Sequence, residues 1–252
     1  MALLTDGMIS GLEDLQALDS DLLETSRNEG IDLAAKLVVS EEAVQLETGA
    51  FLLRTKPDSI SSSASGAYDL NRVAVTPGLR RWHSLLTLAE VYGDAYGSQL
   101  NERYLGRWQK FVKLAKDTSD LVYELGIGIV MNPIPRAEKP VVTVAGNGGL
   151  NTVYTIRTAW RSGTGESGAP SAPATLNASN GELFTVDAGT APTVAIGFDV
   201  YVGTDGVAPM KQNAEPMAPG TIWALPSSGI VTGLPAGDGQ IPDYFVRRSR
   251  TR

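Results

Sequence analysis

The stretch YTIRTAW at residues 154–160 decides the fold of the second half of the chain, because bulky and polar side chains alternate along it. Such alternation is typical of a strand with one buried face. A polar loop rich in glycine and serine follows at 163–171, and a second alternating run, FDVYV, occupies 198–202. The pattern predicts two half-buried strands with Trp160 and Phe198 on inner faces.

The opposite parity of the same strands places Arg157 and Tyr201 on outer faces. Trp223 is a further core candidate, although an exposed aromatic that stacks on a sugar would also fit the sequence there. The glycines at 146–149 predict a hairpin turn rather than a phosphate-binding loop. The β-type runs are 141–145, 153–161, 182–186, 194–202 and 221–225. Their spacing predicts an all-β sandwich of the immunoglobulin or fibronectin III type over residues 141–235.

The first half lacks this alternation and predicts an α-helical bundle over residues 1–135. Together the halves predict a two-domain α+β protein. Asp6 is expected to cap a first helix that ends at Gly30. Thr76-Pro77 is a strong helix start. The remaining helices are expected at 31–54 and 98–125.

Two segments of this half are expected not to be helical. Residues 56–71, rich in serine, predict a mobile loop. The run at 132–140 contains three prolines and predicts a semi-rigid spacer between the domains.

Charge is unevenly distributed along a chain whose net charge is −7. Residues 1–47 carry eleven acids against two bases, a balance of −9, whereas the last six residues carry four arginines and no acid. The glycine- and proline-rich lead before them predicts a flexible basic arm over 236–252 that becomes ordered on a partner.

The residue inventory argues against catalysis. The sequence has no cysteine, which excludes a thiol nucleophile and Cys-ligated zinc, and His83 is its one histidine. The run at 165–169 does not form a nucleophile elbow, and a packed or surface position is the simpler interpretation of His83. We therefore expect no enzyme activity, no cofactor and no metal.

The chain also shows no membrane or secretion signal. No apolar run approaches the ~20 residues of a membrane span, and the start at 1–6 lacks the features of a signal peptide. Synthesis in the cytoplasm is the expectation.

The strand pattern at 154–160, 165–171 and 198–202, followed by Trp223 and Pro226, resembles the fibronectin III-like domains of tailed-bacteriophage structural proteins. The helical half, with its acidic first helix and its long aromatic helix, resembles the head-to-tail connector (adaptor) proteins of the phage neck. The resemblance implies a structural virion protein that joins the portal to the tail and lines the DNA channel. It implies a ring of about twelve copies.

This resemblance suggests portal protein, tail or neck proteins and further copies of the chain as partners, with passing DNA bound non-specifically. The arm residues expected to contact portal or DNA are Tyr244, Phe245, Arg247, Arg248, Arg250 and Arg252. Basic residues of the long helix are candidates for subunit contacts, or simply a solvated face: Arg103, Arg107, Lys110 and Lys113. The alternative function is a tail or decoration protein whose sandwich binds a host-surface glycan.

Overall fold

The computed structural model describes residues 1–55, 69–99 and 102–248. Within them the chain forms two compact units, and helices precede most of the strands, so the two-domain α+β prediction is confirmed. The helical unit comprises residues 7–131 and 242–252, and the β unit comprises residues 1–6 and 132–241. The chain therefore passes from one unit to the other three times.

The helical unit is built around its fourth helix, which packs against the four others. Thr76 and Pro77 begin this helix as predicted, and the Thr76 hydroxyl accepts a hydrogen bond from the Leu79 amide at 3.3 Å. The helices are α1 (Leu12–Leu18), α2 (Leu22–Glu29), α3 (Leu33–Thr55), α4 (Pro77–Gln99) and α5 (Glu102–Leu125), with a 3-10 helix at Leu70–Arg72. Residues 56–68 lie outside the described residues, and with them most of the loop predicted at 56–71.

The predicted role of Asp6 as a helix cap is wrong, because Asp6 belongs to the β unit. One of its carboxylate oxygens accepts from the Leu3 amide at 2.8 Å, and the other accepts from the Arg136 amide at 2.9 Å. The first helix instead begins at Leu12 and breaks before Leu22. It does end as predicted, at a left-handed Gly30 with φ of 67°.

The β unit contains two sheets that enclose one core. The strands of the whole chain are β1 (Ile127–Ile129), β2 (Val141–Asn147), β3 (Thr152–Ser162), β4 (Ala174–Ala178), β5 (Glu182–Asp187), β6 (Ala195–Thr204), β7 (Met210–Lys211), β8 (Ile222–Ala224) and β9 (Tyr244–Val246). One sheet has the order β2-β5-β8 and the other has the order β4-β3-β6-β7. All the neighbouring strands pair antiparallel.

The core of the sandwich is aromatic and contains the predicted residues. Trp160 contacts Phe198 edge-on with ring centroids 5.9 Å apart, and Phe184 lies 6.1 Å from Trp223. All four side chains are buried. Tyr201 is buried as well, although its parity places it on the outer face of β6.

Two predictions about connections in this half are wrong. The glycines at 146–149 do not form a hairpin turn, because β2 pairs with β5 in one sheet and β3 lies in the other. The run at 132–140 is not a spacer. Ile134 and Ala137 are buried in the sandwich core, and the Ile134 amide donates to the Gln240 side chain at 2.6 Å. Proline forbids a helix there but permits an extended, buried segment.

Candidate assembly surfaces

Helix α3 has two apolar faces, and within the described part of the chain only one of them is buried. Leu37, Val44 and Phe51 recur every seven residues and are buried. Val39, Leu46 and Leu53 repeat the same interval on the opposite side and are 50%, 75% and 72% exposed. Residues seven apart lie on one side of a helix. We call these last three residues the α3 stripe.

Acidic side chains flank the α3 stripe. Glu42 and Glu47 are both exposed on the same helix. An apolar row bordered by charge is the usual form of a surface that a second protein covers.

Helix α5 presents a surface of complementary character. Val112 and Leu121 are 45% and 52% exposed. Beside them Lys113 pairs with Asp117 at 3.5 Å, and Lys116 pairs with Asp120 at 3.1 Å. Such exposed pairs contribute little to stability, so these lysines can change partners at small cost. Val112 and Leu121 are nine residues apart and so lie on opposite sides of α5, whereas Leu121, Lys113 and Lys116 lie within one half of the helix. We call Leu121, Lys113 and Lys116 the α5 face.

Arg107 makes ionic and hydrogen-bond contacts within the chain, and its role in a subunit contact stays a prediction. Its guanidinium donates to Asp21 at 2.5 Å and to the Tyr92 hydroxyl at 2.9 Å, and the Tyr92 hydroxyl in turn donates to Asp19. The hydrogen bond from Arg107 lowers the pKa of the Asp21 carboxyl. Arg107 thus ties the turn between α1 and α2 to α4 and α5.

The other basic residues of the predicted set leave the subunit role open. Arg103 lies 5.5 Å from the centroid of the Tyr104 ring, and Lys110 lies 5.3 Å from that of Phe111. Lys113 belongs to the α5 face. Their contact with a second copy stays a prediction.

The C-terminal segment is not the free arm that the sequence predicts. Residues 244–246 form β9 and pair antiparallel with β1, and Val246 is buried opposite Ile127. The glycine- and proline-rich residues before this segment suggested flexibility. The segment instead pairs with β1, which directly follows α5. The deciding signal is the apolar run at 127–130, which needs a partner strand.

Hydrogen bonds hold the segment on both sides of the ladder. The Asp243 amide donates to the Ile129 carbonyl at 2.9 Å, and its carboxylate accepts from the Met131 amide at 2.7 Å. The Arg247 guanidinium donates to the Leu125 carbonyl at 3.0 Å. The segment is therefore fixed from Asp243 to beyond the end of β9.

Arg248 adds two further contacts at the end of this segment. Its guanidinium lies 3.4 Å from an Asp120 carboxylate oxygen and 5.2 Å from the centroid of the Tyr123 ring. Burial, reinforced by the Glu47 charge, raises the pKa of Tyr123 to about 12, so the phenol stays neutral at ordinary pH. Arg250 and Arg252 lie outside the described residues.

Two glycines allow the C-terminal segment to approach the backbone at residues 126–129 closely. A Cβ atom at Gly128 would lie 2.6 Å from Cγ of Pro242, inside any permitted contact. Gly126 has φ of +110°, and a Cβ there would lie 2.9 Å from Cγ of Arg247. Residues Gly126–Ile129 thus form a slot that accommodates Pro242–Arg248. We call Gly126–Ile129 the tail slot and Pro242–Arg248 the tail.

His83 is packed inside the helical unit, which is one of the two positions that the sequence left open. It is fully buried, with Nδ1 2.7 Å from the Ser10 hydroxyl and Nε2 3.0 Å from the Leu37 carbonyl. Burial lowers its pKa. This histidine joins three segments of the bundle.

The β unit contains one buried ionic group, Asp199. Its carboxylate lies 2.9 Å from Lys211 Nζ and 3.5 Å from Arg161 Nε, and it accepts from the Asn213 side chain at 3.1 Å. Two cations and an amide satisfy the buried charge, so the cluster is structural.

The aromatic side chains of the β unit offer no stacking surface. Within residues 132–241, all of which are described, the six aromatic residues are buried: Tyr154, Trp160, Phe184, Phe198, Tyr201 and Trp223. The exposed aromatic that the glycan-binding alternative invoked at Trp223 is therefore a core residue, 7% exposed.

Two further findings concern residues 1–55, 69–99 and 102–248. Over those residues, no three His, Cys, Asp or Glu side chains cluster as a metal site requires. None of the described helices combines the length and the apolar content needed to cross a bilayer. The chain matches no family model and no curated protein.

Proposed function

We propose that this chain is a structural protein of a tailed-bacteriophage neck, forming a ring of about twelve copies that joins the portal to the tail around the passing DNA. The observation that carries the proposal is the α3 stripe. A helix that already buries one apolar face in its own bundle has a second one ready for another subunit. Sequence resemblance to phage connectors supplies the biological setting, and the stripe supplies the means of assembly.

The contact that builds the ring joins the α3 stripe of one copy to the α5 face of the next. Leu46 and Leu53 would pack against Leu121, and Glu42 would face Lys113 and Lys116. Since the two surfaces differ, the contact is heterologous. Repeated copies then close into a ring if the rotation between them allows it.

The test is the mass of the assembled protein. We expect wild-type protein to form a defined oligomer by light scattering and electron microscopy. The double substitution Leu46→Glu with Leu53→Glu should leave a folded monomer, because it buries charge in the contact. Leu234→Glu, at a β-unit residue that is 77% exposed, is the matched control and should assemble normally.

Two outcomes would contradict the proposal. Wild-type protein that stays monomeric at high concentration, alone and with portal, would remove the ring. Normal assembly by the double variant would show that the α3 stripe is not the contact.

Portal attachment involves the exposed side of the seated tail. Phe245 is 49% exposed, and Arg247 and Arg248 are exposed beside it. Phe245→Ala should weaken attachment to isolated portal if apolar anchoring dominates. Replacing both arginines with Gln should weaken binding to DNA with reduced salt dependence if they face the channel.

A further inference from the structure

The tail is held by shape and hydrogen bonds more than by apolar burial. Three residues of the tail pair with β1 in a short antiparallel ladder. Val246 is its one buried apolar residue, whereas Phe245 is half exposed. Releasing the tail would leave the helices of the bundle packed, so the tail can dissociate and bind again as one element.

The place where the tail joins the chain favours exchange. Ile241 belongs to the β unit and Pro242 to the helical unit, so the tail begins where one compact unit gives way to the other. A change of direction at Ile241 and Pro242 moves the tail while Gln240 keeps its bonds to Ile134 and Asn132, so the slot that receives the tail must lie within reach of these two residues. Exchange of a terminal element at such a boundary is a low-cost route to an oligomer.

The tail slot also adjoins the proposed subunit contact. Asp120, which pairs with Arg248 of the tail, pairs at the same time with Lys116 of the α5 face. Leu121 of that face follows directly. A neighbouring copy seated on the α5 face would therefore stand beside the tail slot.

We propose that in the assembled protein the tail of one copy occupies the tail slot of the next copy. The exchanged tail would make the same ladder, the same Arg248–Asp120 pair and the same fit over Gly126 and Gly128. No contact is lost, and the assembly holds the neighbouring slot at a high effective concentration. This inference rests on the proposed self-assembly, because the contact between α3 and α5 brings the slots together.

Cysteine cross-linking tests the exchange, since the natural chain contains no cysteine. Leu125→Cys and Phe245→Cys place thiols at exposed positions on either side of the slot. The two single variants, carrying different tags, are co-expressed, and the assembled protein is treated with a short bis-maleimide. Exchange predicts a cross-linked pair with one chain of each tag.

The double variant Leu125→Cys with Phe245→Cys measures the closed arrangement within one chain. Assembled protein in which it forms mainly intrachain links, while the co-expressed single variants form none, would overturn the exchange. Leu234→Cys in place of Phe245→Cys is the control for chance encounters and should give no cross-link.

Gly128→Ala separates exchange from mere proximity of neighbours, because the added Cβ fills the place of Pro242. Interchain links that fall several-fold with Gly128→Ala, but persist with Gly106→Ala, show that the tail sits in the neighbour's slot. A Cβ at Gly106 meets nothing within 4 Å. Links that survive Gly128→Ala unchanged would overturn the proposal.

The outcomes also separate this inference from the proposed function. Rings without interchain links would contradict the exchange and leave the neck proposal standing. Linked dimers without rings would support the exchange and contradict the ring.

Discussion

The helical unit and the β unit are each completed by a terminal segment that the sequence places beside the other unit. Residues 1–6 precede the helices but belong to the β unit, where the Met1 amino group donates to the Gln240 carbonyl at 2.8 Å. Residues 242–248 follow the sandwich but complete the helical unit through β9. Neither unit is therefore a continuous stretch of chain, and a cut at one end should weaken the fold of the other half.

The two completions differ in physical character. The N-terminal segment contributes apolar burial, with Leu3 and Leu4 both under 4% exposed. The tail contributes a short ladder and a close fit over two glycines. A buried leucine should matter more to stability than a three-pair ladder.

The largest effect expected is that of Leu4→Ala, compared with Leu15→Ala in α1. Both leucines are fully buried, so each substitution should lower the free energy of unfolding by about 2–5 kcal/mol. Hydrogen exchange should separate them. Leu4→Ala should raise exchange in the strands of the β unit, and Leu15→Ala should raise it in the helices.

If Leu4→Ala instead opened the helices and spared the sandwich, the assignment of residues 1–6 to the β unit would be wrong. Circular dichroism of both variants gives the control for global misfolding.

A smaller effect is expected from Gly128→Ala. The new methyl group must push against Pro242, and overpacking of this kind costs about 1–3 kcal/mol. Exchange should rise at β1 and β9 while the β unit is unaffected. Gly106→Ala, at an open position of α5, should stabilise the helix by about 0.5–1 kcal/mol.

Equal effects of the two glycine substitutions would show that the tail does not fill the slot at all. A loss of stability confined to Gly128→Ala would show that the tail fits the tail slot specifically.

The interiors of both units could be predicted from the sequence because they rest on local periodicity. Alternation placed Trp160 and Phe198 in the sandwich, and the Thr76-Pro77 start fixed the beginning of α4. These signals need only neighbouring residues.

The terminal segments could not be predicted in the same way. Pairing of Ile127 with Val246 joins residues far apart in sequence, and no local pattern selects one partner strand over another. Asp6 fits a helix cap equally well until its bond to the Arg136 amide is known. The proline run at 132–140 misled for a related reason, because proline reports what backbone is forbidden and not whether the segment is buried.

The candidate surfaces were predictable only in part. The basic row of α5 was visible, but the sequence did not distinguish Arg107, which binds within the chain, from Lys113, which is 79% exposed. The α3 stripe was missed because an apolar residue on a helix is usually assigned to the core. The seven-residue repeat at Val39, Leu46 and Leu53, beside a second repeat two positions earlier, was the available signal.

The smallest effect expected is a pH dependence confined to the helical unit. His83 is buried between the Ser10 hydroxyl and the Leu37 carbonyl, and burial lowers its pKa in the folded chain. The Leu37 carbonyl and the Asp14 charge oppose that shift without cancelling it. The unfolded chain therefore binds a proton at His83 at a higher pH than the folded chain does.

Stability from His83 should thus be fully present above a pH of about 6.5, the ordinary value for histidine, and should be lost as the pH falls below it. The loss cannot exceed about 1.4 kcal/mol per pH unit for one group, and it ends once the pH reaches the lowered pKa of the folded state. Urea unfolding at several pH values between 7.5 and 5 should show this slope in wild-type protein. His83→Gln removes the titrating group and should flatten the curve, although its stability at high pH will be lower. Because the carboxylates titrate in both proteins, the difference between the two curves is the quantity to compare. A difference that does not change with pH would mean that His83 is equally protonated in the folded and unfolded chains, and the Ser10 and Leu37 contacts would then not hold it neutral.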